Sequence, residues 1–459
     1  MKILFSNPPW WEAADNGHLR QGIRAGSRWP FTRWAIHQPD EFKFGGYLPM
    51  PFFLASAAAY AAKHLPNDEI AIRDSIARGE SYETFINALE KLRPDWLVIE
   101  TATPSWRHDA EICSALKGMF PAMRIIVTGT LVASEEFRLP DWAHAAVKGE
   151  YEKGVAAVVS GQFERGAVVD HMLLTREELD VLPFPAFDPE CTHHYHDACP
   201  VMDGDAEQFP HLQVWTSRGC PFKCCFCGWP ATMTGNDPKG ENPRSVRQYS
   251  PEWVAAMLKD RLNRARLAGK PYRSIYIDDD TFNLTDRHAV AISAVMKSFG
   301  LPWSAMCRAD TCKPETWAIM RDAGCFGVKI GCESGSQRVI DQIVNKRLNL
   351  HDVEHKWLPL LKELGFNVHT TWTVGLPGET IEEQRETVAM IDRLYKAGLH
   401  RTHQLSGTAE IEGTPLATLR HAGPGAVLPK YPGAHVDEGY AVSRDGQRKI
   451  EQMTRPTLT

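Results

Sequence analysis

The sequence predicts an α/β protein of two parts: an open, doubly wound sheet first and a partial parallel barrel of six βα units second, followed by an irregular C-terminal tail. Three observations predict it. Strand-like apolar runs alternate with helical patterns from the first residues to about 160. The alternation lapses over about 172–210 and resumes from 211 with six further strand candidates. A chain of 459 residues also exceeds what a single core usually serves, so two or three domains are expected. The boundaries read as a first domain at 1–165, a linker at 166–210, a barrel at 211–410 and an extension or lid at 411–459.

In the first part the strand runs are Ile3–Phe5, Ile70–Ile72, Trp96–Ile99, Ile125–Val127 and Ala145–Val147. Helical patterns lie between them at Phe52–Lys63, Tyr82–Lys91 and Asp109–Lys117. Open sheets of this kind take ligands beyond the carboxyl ends of their strands, which nominates the loops Ser6–Trp11, Glu100–Ser105 and Gly129–Ser134. The stretch that follows lacks periodicity and carries Pro183, Pro185, Pro189 and Pro200 beside His193, His194 and His196. A solvated linker is the simpler reading, and a metal-binding histidine group the sharper one.

In the second part the strands are Leu212–Trp215, Ser274–Ile277, Trp303–Cys307, Gly327–Ile330, Val368–Val374 and Thr402–Ser406. The helices between them are Pro251–Leu267, Asp286–Ser298, Pro314–Ala323, Asp352–Leu364 and Ile381–Ala397. Barrel active sites sit at the carboxyl ends of the strands. Beyond about Pro415 the chain is polar and rich in Gly and Pro, and reads as irregular.

Composition narrows the function classes. The net charge of −6 comes with no Lys or Arg block, which argues against a nucleic-acid partner. No run approaches the roughly 20 apolar residues of a membrane span. The opening Met1-Lys-Ile-Leu-Phe-Ser-Asn-Pro-Pro reads as a strand and turn, not a signal peptide. The 11 cysteines are odd in number and mostly scattered, unlike a secreted disulfide framework, so a reducing cytoplasm is expected.

Cys220, Cys224 and Cys227 stand apart from the rest. They form C-x3-C-x2-C directly after the first barrel strand, at the active end of such a barrel. Three thiolates on one short loop suit an iron–sulfur cluster or a zinc ion. A structural zinc site wants four closed ligands, whereas three leave a metal position open for a substrate or cofactor.

With Phe226 before the last cysteine, this loop resembles the cluster loop of the radical SAM superfamily. The resemblance implies a [4Fe–4S] cluster on Cys220, Cys224 and Cys227, with Cys225 not a ligand. It also implies S-adenosylmethionine on the open iron, cleaved by one electron to a 5′-deoxyadenosyl radical that abstracts hydrogen. Further runs fall at successive strand ends. Ile275-Tyr-Ile-Asp-Asp-Asp-Thr-Phe282 is similar to the family's Asp-Asp-x-Phe run, so Asp279 and Asp280 would face the methionyl amine. Without the cysteines, those acids read equally well as a solvated turn. Arg308, ending the third strand, would meet the methionyl carboxylate; a surface ion pair is the plainer reading. Gly331-Cys-Glu-Ser-Gly-Ser336 resembles G-x-E-S-G-S, with Glu333 on the ribose or amine and Ser334 or Ser336 capping the next helix. Thr373-Val-Gly-Leu-Pro-Gly-Glu-Thr380 resembles G-L-P-G-E-T, with Gly375 passing near the adenine. The resemblance spans about 210–410.

A Rossmann-like domain before such a barrel resembles the superfamily's cobalamin-binding subgroup. Val127-Thr-Gly-Thr-Leu-Val-Ala-Ser134 stands where that subgroup has a G-G-x-H-x-T-like loop, making Gly129 and Ser134 the implied cofactor contacts. Thr130 replaces its second Gly and Val132 its His. Val147-Lys-Gly-Glu-Tyr-Glu152 is similar to R-G-E-G-E, with Tyr151 replacing the inner Gly. Side chains at these positions crowd a corrin tail, so cobalamin stays open. Asn7-Pro-Pro-Trp-Trp11 and Gly26-Ser-Arg-Trp-Pro30 resemble the start of a hopanoid- and aminoglycoside-type branch, whose members use the radical on sugar-like carbon without methyl transfer. The tryptophans read equally well as core or interface residues.

These features predict a radical SAM enzyme acting on a small polar, sugar-like metabolite, with dehydration, deoxygenation or rearrangement as the outcome. Asp278, Glu410 and Glu412 are the candidate acids gripping the substrate, although polar turn residues describe them as simply. A cobalamin-dependent radical SAM methyltransferase is the alternative, and a zinc- or corrinoid-binding regulator a remote one. The chemistry implies a low-potential donor of flavodoxin or ferredoxin type, with room for a reductase partner.

Overall fold

The computed structural model describes residues 1–13, 19–23, 48–197, 199–204, 207–235 and 237–436. The Gly26–Pro30 run and the end of the tail lie outside the described residues. The chain divides into two compact units. One holds 1–198 with 228–236 and 411–413; the other holds 199–227, 237–410 and 414–459.

The first unit is a six-stranded parallel sheet. Its strands are β1 (Lys2–Asn7), β2 (Glu69–Asp74), β3 (Trp96–Thr101), β4 (Arg124–Gly129), β5 (Ala145–Val147) and β6 (Ala167–Val169), in the order β2-β1-β3-β4-β5-β6. The order reverses beside β1, so the switch point falls between β1 and β3, as a doubly wound sheet requires. Every residue of β3 is buried, the signature of a strand covered on both faces. The helices α1 (Phe52–His64), α2 (Tyr82–Leu92), α3 (Trp106–Met119) and α4 (Tyr151–Val159) supply that cover. α2 starts where Ser81 Oγ accepts the Thr84 N–H, and it buries Phe85 and Leu89.

The stretch read as a linker is tied to this unit as far as 197. Asp188 is buried, takes a bidentate pair from Arg78 (2.6 and 2.6 Å) and accepts the Asp74 N–H at 3.0 Å. Such ties order a segment without any sequence period. His194 and His196 hydrogen-bond to the carbonyls of Ala77 and His194, respectively.

The second unit holds six parallel strands paired in chain order. They are β7 (His211–Val214), β8 (Ser274–Ile277), β9 (Trp303–Cys307), β10 (Cys325–Glu333), β11 (Asn367–Val374) and β12 (Thr402–Gly407). Consecutive pairing of βα units is the partial barrel the sequence predicts. Around it run α5 (Pro251–Leu267), α6 (Asp286–Phe299), α7 (Pro314–Asp322) and α8 (Ile381–Lys396). Ser250 and Thr285 cap α5 and α6, and Gly300 ends α6 in the left-handed conformation. The tail is more regular than expected: α9 (Pro415–Ala422) packs with Leu428 and Tyr431 in an apolar cluster that also contains Cys224 and Cys225.

α8 opens with a capping box, in which Thr380 and Glu383 bond to each other's backbone N–H. Glu383 also takes Arg338 through two bonds of 2.7 Å and Ser336 Oγ at 3.1 Å, so it anchors the Gly331–Ser336 run to α8. The Arg338 bonds lead in holding its acidity at about 2, below the usual 4.5. A depressed acid stabilises the fold above its unfolded pKa, and that contribution is lost as pH falls from about 4.5 through about 2. Arg338→Met should flatten the pH dependence of the apoprotein's urea midpoint in that window.

Candidate functional site

The cysteine loop leaves β7 and is clamped from every side within the second unit. Ser217 and Arg218 pair antiparallel with Gln248 and Arg247, and Arg218 Nε donates to Tyr249 Oη at 2.9 Å. Gly219 turns the chain at φ +91°. Farther on, Arg244 donates to the Phe222 carbonyl (2.6 Å) and to the buried Asp237 (3.0 Å), which Lys223 also faces at 3.4 Å. The Cys225 N–H meets the Val344 carbonyl (3.0 Å), its own carbonyl takes the Leu416 N–H (2.9 Å), and Tyr431 Oη donates to the Lys223 carbonyl (2.7 Å).

Cys220 and Cys224 are buried, and Cys227 is partly so. All 11 cysteines are free thiols. Burial, with the neighbouring sulfurs and Asp280, pushes Cys220 up to about 11 and Cys227 to about 12. Such thiols become thiolates when a cation replaces the proton, so metal binding itself generates the ligands. The three sulfurs feel one another's charge, yet no three His, Cys, Asp or Glu side chains among the described residues close on one ion.

Of the acids ending β8, Asp279 is fully engaged by the protein. It accepts from Thr216 N (2.6 Å), Thr216 Oγ1 (2.6 Å), Ser217 N (3.1 Å) and Ser217 Oγ (2.7 Å), fastening the root of the cysteine loop. Among the described residues, Asp280 takes only the Gly219 N–H, at 2.9 Å, and burial raises it to about 7. Thr281 Oγ1 lies 3.5 Å from Cys220 Sγ. Asp278 accepts the Tyr276 hydroxyl at 2.8 Å.

Arg308 is turned onto protein, bonding Asp310 and two backbone carbonyls. Glu333 is buried at φ +70° and faces Lys346 Nζ at 3.0 Å and Thr373 Oγ1 at 3.3 Å. Ser334 Oγ sits 3.2 Å from Thr387 Oγ1 and accepts the Ser336 N–H. Gly375 holds φ +76°, its N–H bonds Glu379, and a Cβ there would meet nothing within 4 Å. Phe226 packs into the apolar cluster of the tail. Lys346, Thr216, Ser217 and Arg244 are additions that the sequence did not nominate. Thr216 and Ser217 immediately precede the cysteine loop, which was the available signal. Lys346 follows no strand and gave none.

The remaining candidates fall in different units. Glu410, in the second, pairs with Arg420. Glu412 belongs to the first, where its N–H donates to Thr103 Oγ1 (2.9 Å) and Ser134 Oγ approaches its carboxylate at 3.4 Å.

The second unit thus sets three thiols after its first strand and acids and glycines at the next strand ends. Residues 215–391, in the second unit except for 228–236, match the Radical SAM superfamily model and form a radical SAM domain. Two curated relatives are an uncharacterized methyltransferase of Pyrococcus horikoshii and a cytidylyl-2-hydroxyethylphosphonate methyltransferase of Streptomyces wedmorensis. The first is 24% identical over 360 residues, 73% of this chain and 72% of that protein. The second is 31% identical over 244 residues, 50% of this chain and 41% of that protein, so the chain spans less than half of it. Among solved structures, the radical SAM methyltransferase TsrM from Kitasatospora setae, with cobalamin and a [4Fe–4S] cluster bound, superposes with a TM-score of 0.59 at 15% identity. That match covers 83% of this chain and 77% of TsrM.

The domain implies a [4Fe–4S] cluster and S-adenosylmethionine, and the residues fit both. Three thiols offer three corners. The open face at Gly375 and the buried Asp280, Glu333 and Lys346 supply room and polar partners. Cobalamin stays open in the first unit, whose two candidate loops make contacts of the protein's own. Tyr151 is fully buried at the start of α4, with Oη 2.9 Å from Glu100 Oε1 on β3 and its ring against Phe53 of α1, which in turn packs on Trp229. A Cβ at Gly129 would stand 1.9 Å from the Thr101 carbonyl, and one at Gly149 3.0 Å from that of Met233, so the protein's own chain already closes both loops. Wild-type protein incubated with hydroxocobalamin and gel-filtered tests the point: stoichiometric corrinoid absorption supports corrinoid-dependent methyl transfer, and its loss supports the reading without a corrinoid.

Proposed function

We propose that this radical SAM enzyme acts on a small polar molecule and that methyl transfer is its leading outcome. The observation that carries the outcome is the naming of these two curated relatives as methyltransferases. The cluster and S-adenosylmethionine supply a carbon radical by one-electron cleavage of the sulfonium. The chain's residues hold and shield these groups. Cys220, Cys224 and Cys227 bind the iron, while Asp279 fixes their loop to β8. Asp280 is the carboxylate left to meet the methionyl amine, and Gly375 leaves space for the adenine. Asp278 is a candidate substrate contact, and Glu410 and Glu412 are retained as weaker ones.

A second reading, hydrogen abstraction followed by loss of water, is favoured by Tyr151, which is buried on Glu100 where the resemblance to the cobalamin-binding subgroup expects a glycine. One assay separates the two. Anaerobically reconstituted protein receives S-adenosylmethionine, a low-potential reductant and a panel of aminosugars and cytidylylated phosphonates. A product heavier by one CH2 supports methyl transfer, and a product lighter by one water overturns it. Absence of 5′-deoxyadenosine and of every other S-adenosylmethionine product overturns both.

A further inference from the structure

The six strands of the second unit present two unlike faces. Side chains alternate along a strand, and register partners on parallel neighbours point the same way. One face carries Ile275, Ile277, Trp303, Ala305, Val328 and Ile330, all fully buried. It is sealed under the helices, where Trp303 Nε1 donates to the Ala323 carbonyl just past α7 (2.9 Å).

The other face is the barrel interior. Its floor is the helical turn Pro200–Asp203. Ser304 Oγ donates to the Met202 carbonyl (2.8 Å), and a Cβ at Gly327 would stand 2.2 Å from the Val201 carbonyl. Farther along β10 the same face meets the cofactor residues, because a Cβ at Gly331 would stand 2.4 Å from Glu333 Oε1 and 2.7 Å from Lys346 Nζ.

Lys329 lies between these two glycines and therefore on the interior face. At 3.3 Å per residue it sits roughly 7 Å above the floor glycine and as far below the other. Its register partners are Met306 on β9 and His369 on β11. Lys329 is 8% exposed and His369 5%. His369 Nδ1 is 2.8 Å from Thr402 Oγ1, its register partner on β12, which fixes the imidazole. Met306, Gly331 and Gln404 keep partial exposure on this face, so the interior is reached from outside.

Lysine is among the residues least often buried. Covering the floor requires only an apolar chain, as Met306 shows by packing on the cluster of Val201, Met202 and Tyr276. An ammonium and an imidazole adjacent in one row, beneath the residues that hold the cofactor, can grip an oxyanion from below and leave the carbon attached to it facing upward.

We propose that Lys329, with His369 beside it, binds an oxyanion of the substrate, either a phosphonate or phosphate group or a carboxylate. The proposal rests on the radical SAM reading and narrows its small polar substrate to an anionic one.

The probes are methylphosphonate, acetate and the neutral ester dimethyl methylphosphonate. Equilibrium dialysis measures their binding to anaerobically reconstituted wild type, Lys329→Met and Lys329→Arg with S-adenosylmethionine present, and iron analysis records the cluster load. Wild type should bind at least one anion saturably and leave the ester behind; the tighter anion tells a phosphorus-bearing substrate from a carboxylate. The Met variant should lose ~10–100-fold in affinity for that anion, the worth of a charge-assisted hydrogen bond. Wild type that binds neither anion, or binds the ester as tightly, overturns the proposal, and so does a Met variant that matches wild type. If the Met variant fails to hold iron, the Arg variant decides. A guanidinium takes oxyanions through a planar fork, so the ratio of the two anion affinities should change several-fold, and an unchanged ratio overturns the proposal. Reduced wild type that forms no product from S-adenosylmethionine overturns the radical SAM reading instead.

Discussion

Cys224→Ala should leave anaerobically reconstituted protein without its brown colour and without S-adenosylmethionine cleavage, whereas Cys225→Ala should keep both. The two residues are adjacent and both buried, so burial does not separate them. Cys224 shares its electrostatic environment with Cys220 and Cys227. Removing one of three ligands leaves a cluster two anchors and a second exposed iron. Cys225 makes its bonds through backbone, to Val344 and Leu416, and alanine retains both. Its sulfur serves the apolar cluster of the tail, so the cost is packing, about 1 kcal/mol for one buried heavy atom. Iron content and visible absorption measure the first effect, and a urea midpoint the second. Wild-type iron in Cys224→Ala would show that the ligand set is wrong.

Asp279→Ala should be among the most destabilising substitutions in the second unit, and it should also abolish cluster binding. Four donors converge on that carboxylate, two of them backbone N–H groups. Alanine leaves them buried and unpaired, at an expected cost of roughly 3–5 kcal/mol. The loss falls at the root of the cysteine loop. Asp280→Asn is the contrasting change: it keeps an acceptor for the Gly219 N–H and should hold stability near wild type while weakening S-adenosylmethionine binding. Urea denaturation of the apoproteins, with iron analysis after reconstitution, separates the pair. Equal stability losses would remove the distinction drawn between the two acids.

The architecture was legible because its signals are local. Each strand run and most helices announce themselves by apolar period and by caps such as Ser81, Thr285 and Thr380, and the structure places them within a few residues of the expected limits. The cysteine spacing was legible for the same reason. What the sequence could not tell is how neighbours divide their work. Asp279 and Asp280 look alike in a row, and only their partners distinguish them: four donors of Thr216 and Ser217 for the first, the Gly219 N–H for the second. Arg308 promised a ligand cation because it ends a strand. Its partners, Asp310 and the 346–347 backbone, are fixed by tertiary folding. Lys346 reaches the site from a turn some distance along the chain from any strand end, so strand-by-strand reading passes over it. The 166–210 stretch looked free because a buried bidentate ion pair has no period.

The bond between Tyr431 and the Lys223 carbonyl joins residues 208 positions apart. The chain emerges from the ribosome N-terminus first, so the three thiols are made long before the segment that closes over them. During synthesis the loop therefore stands open on the side that Leu416, Leu428 and Tyr431 later cover.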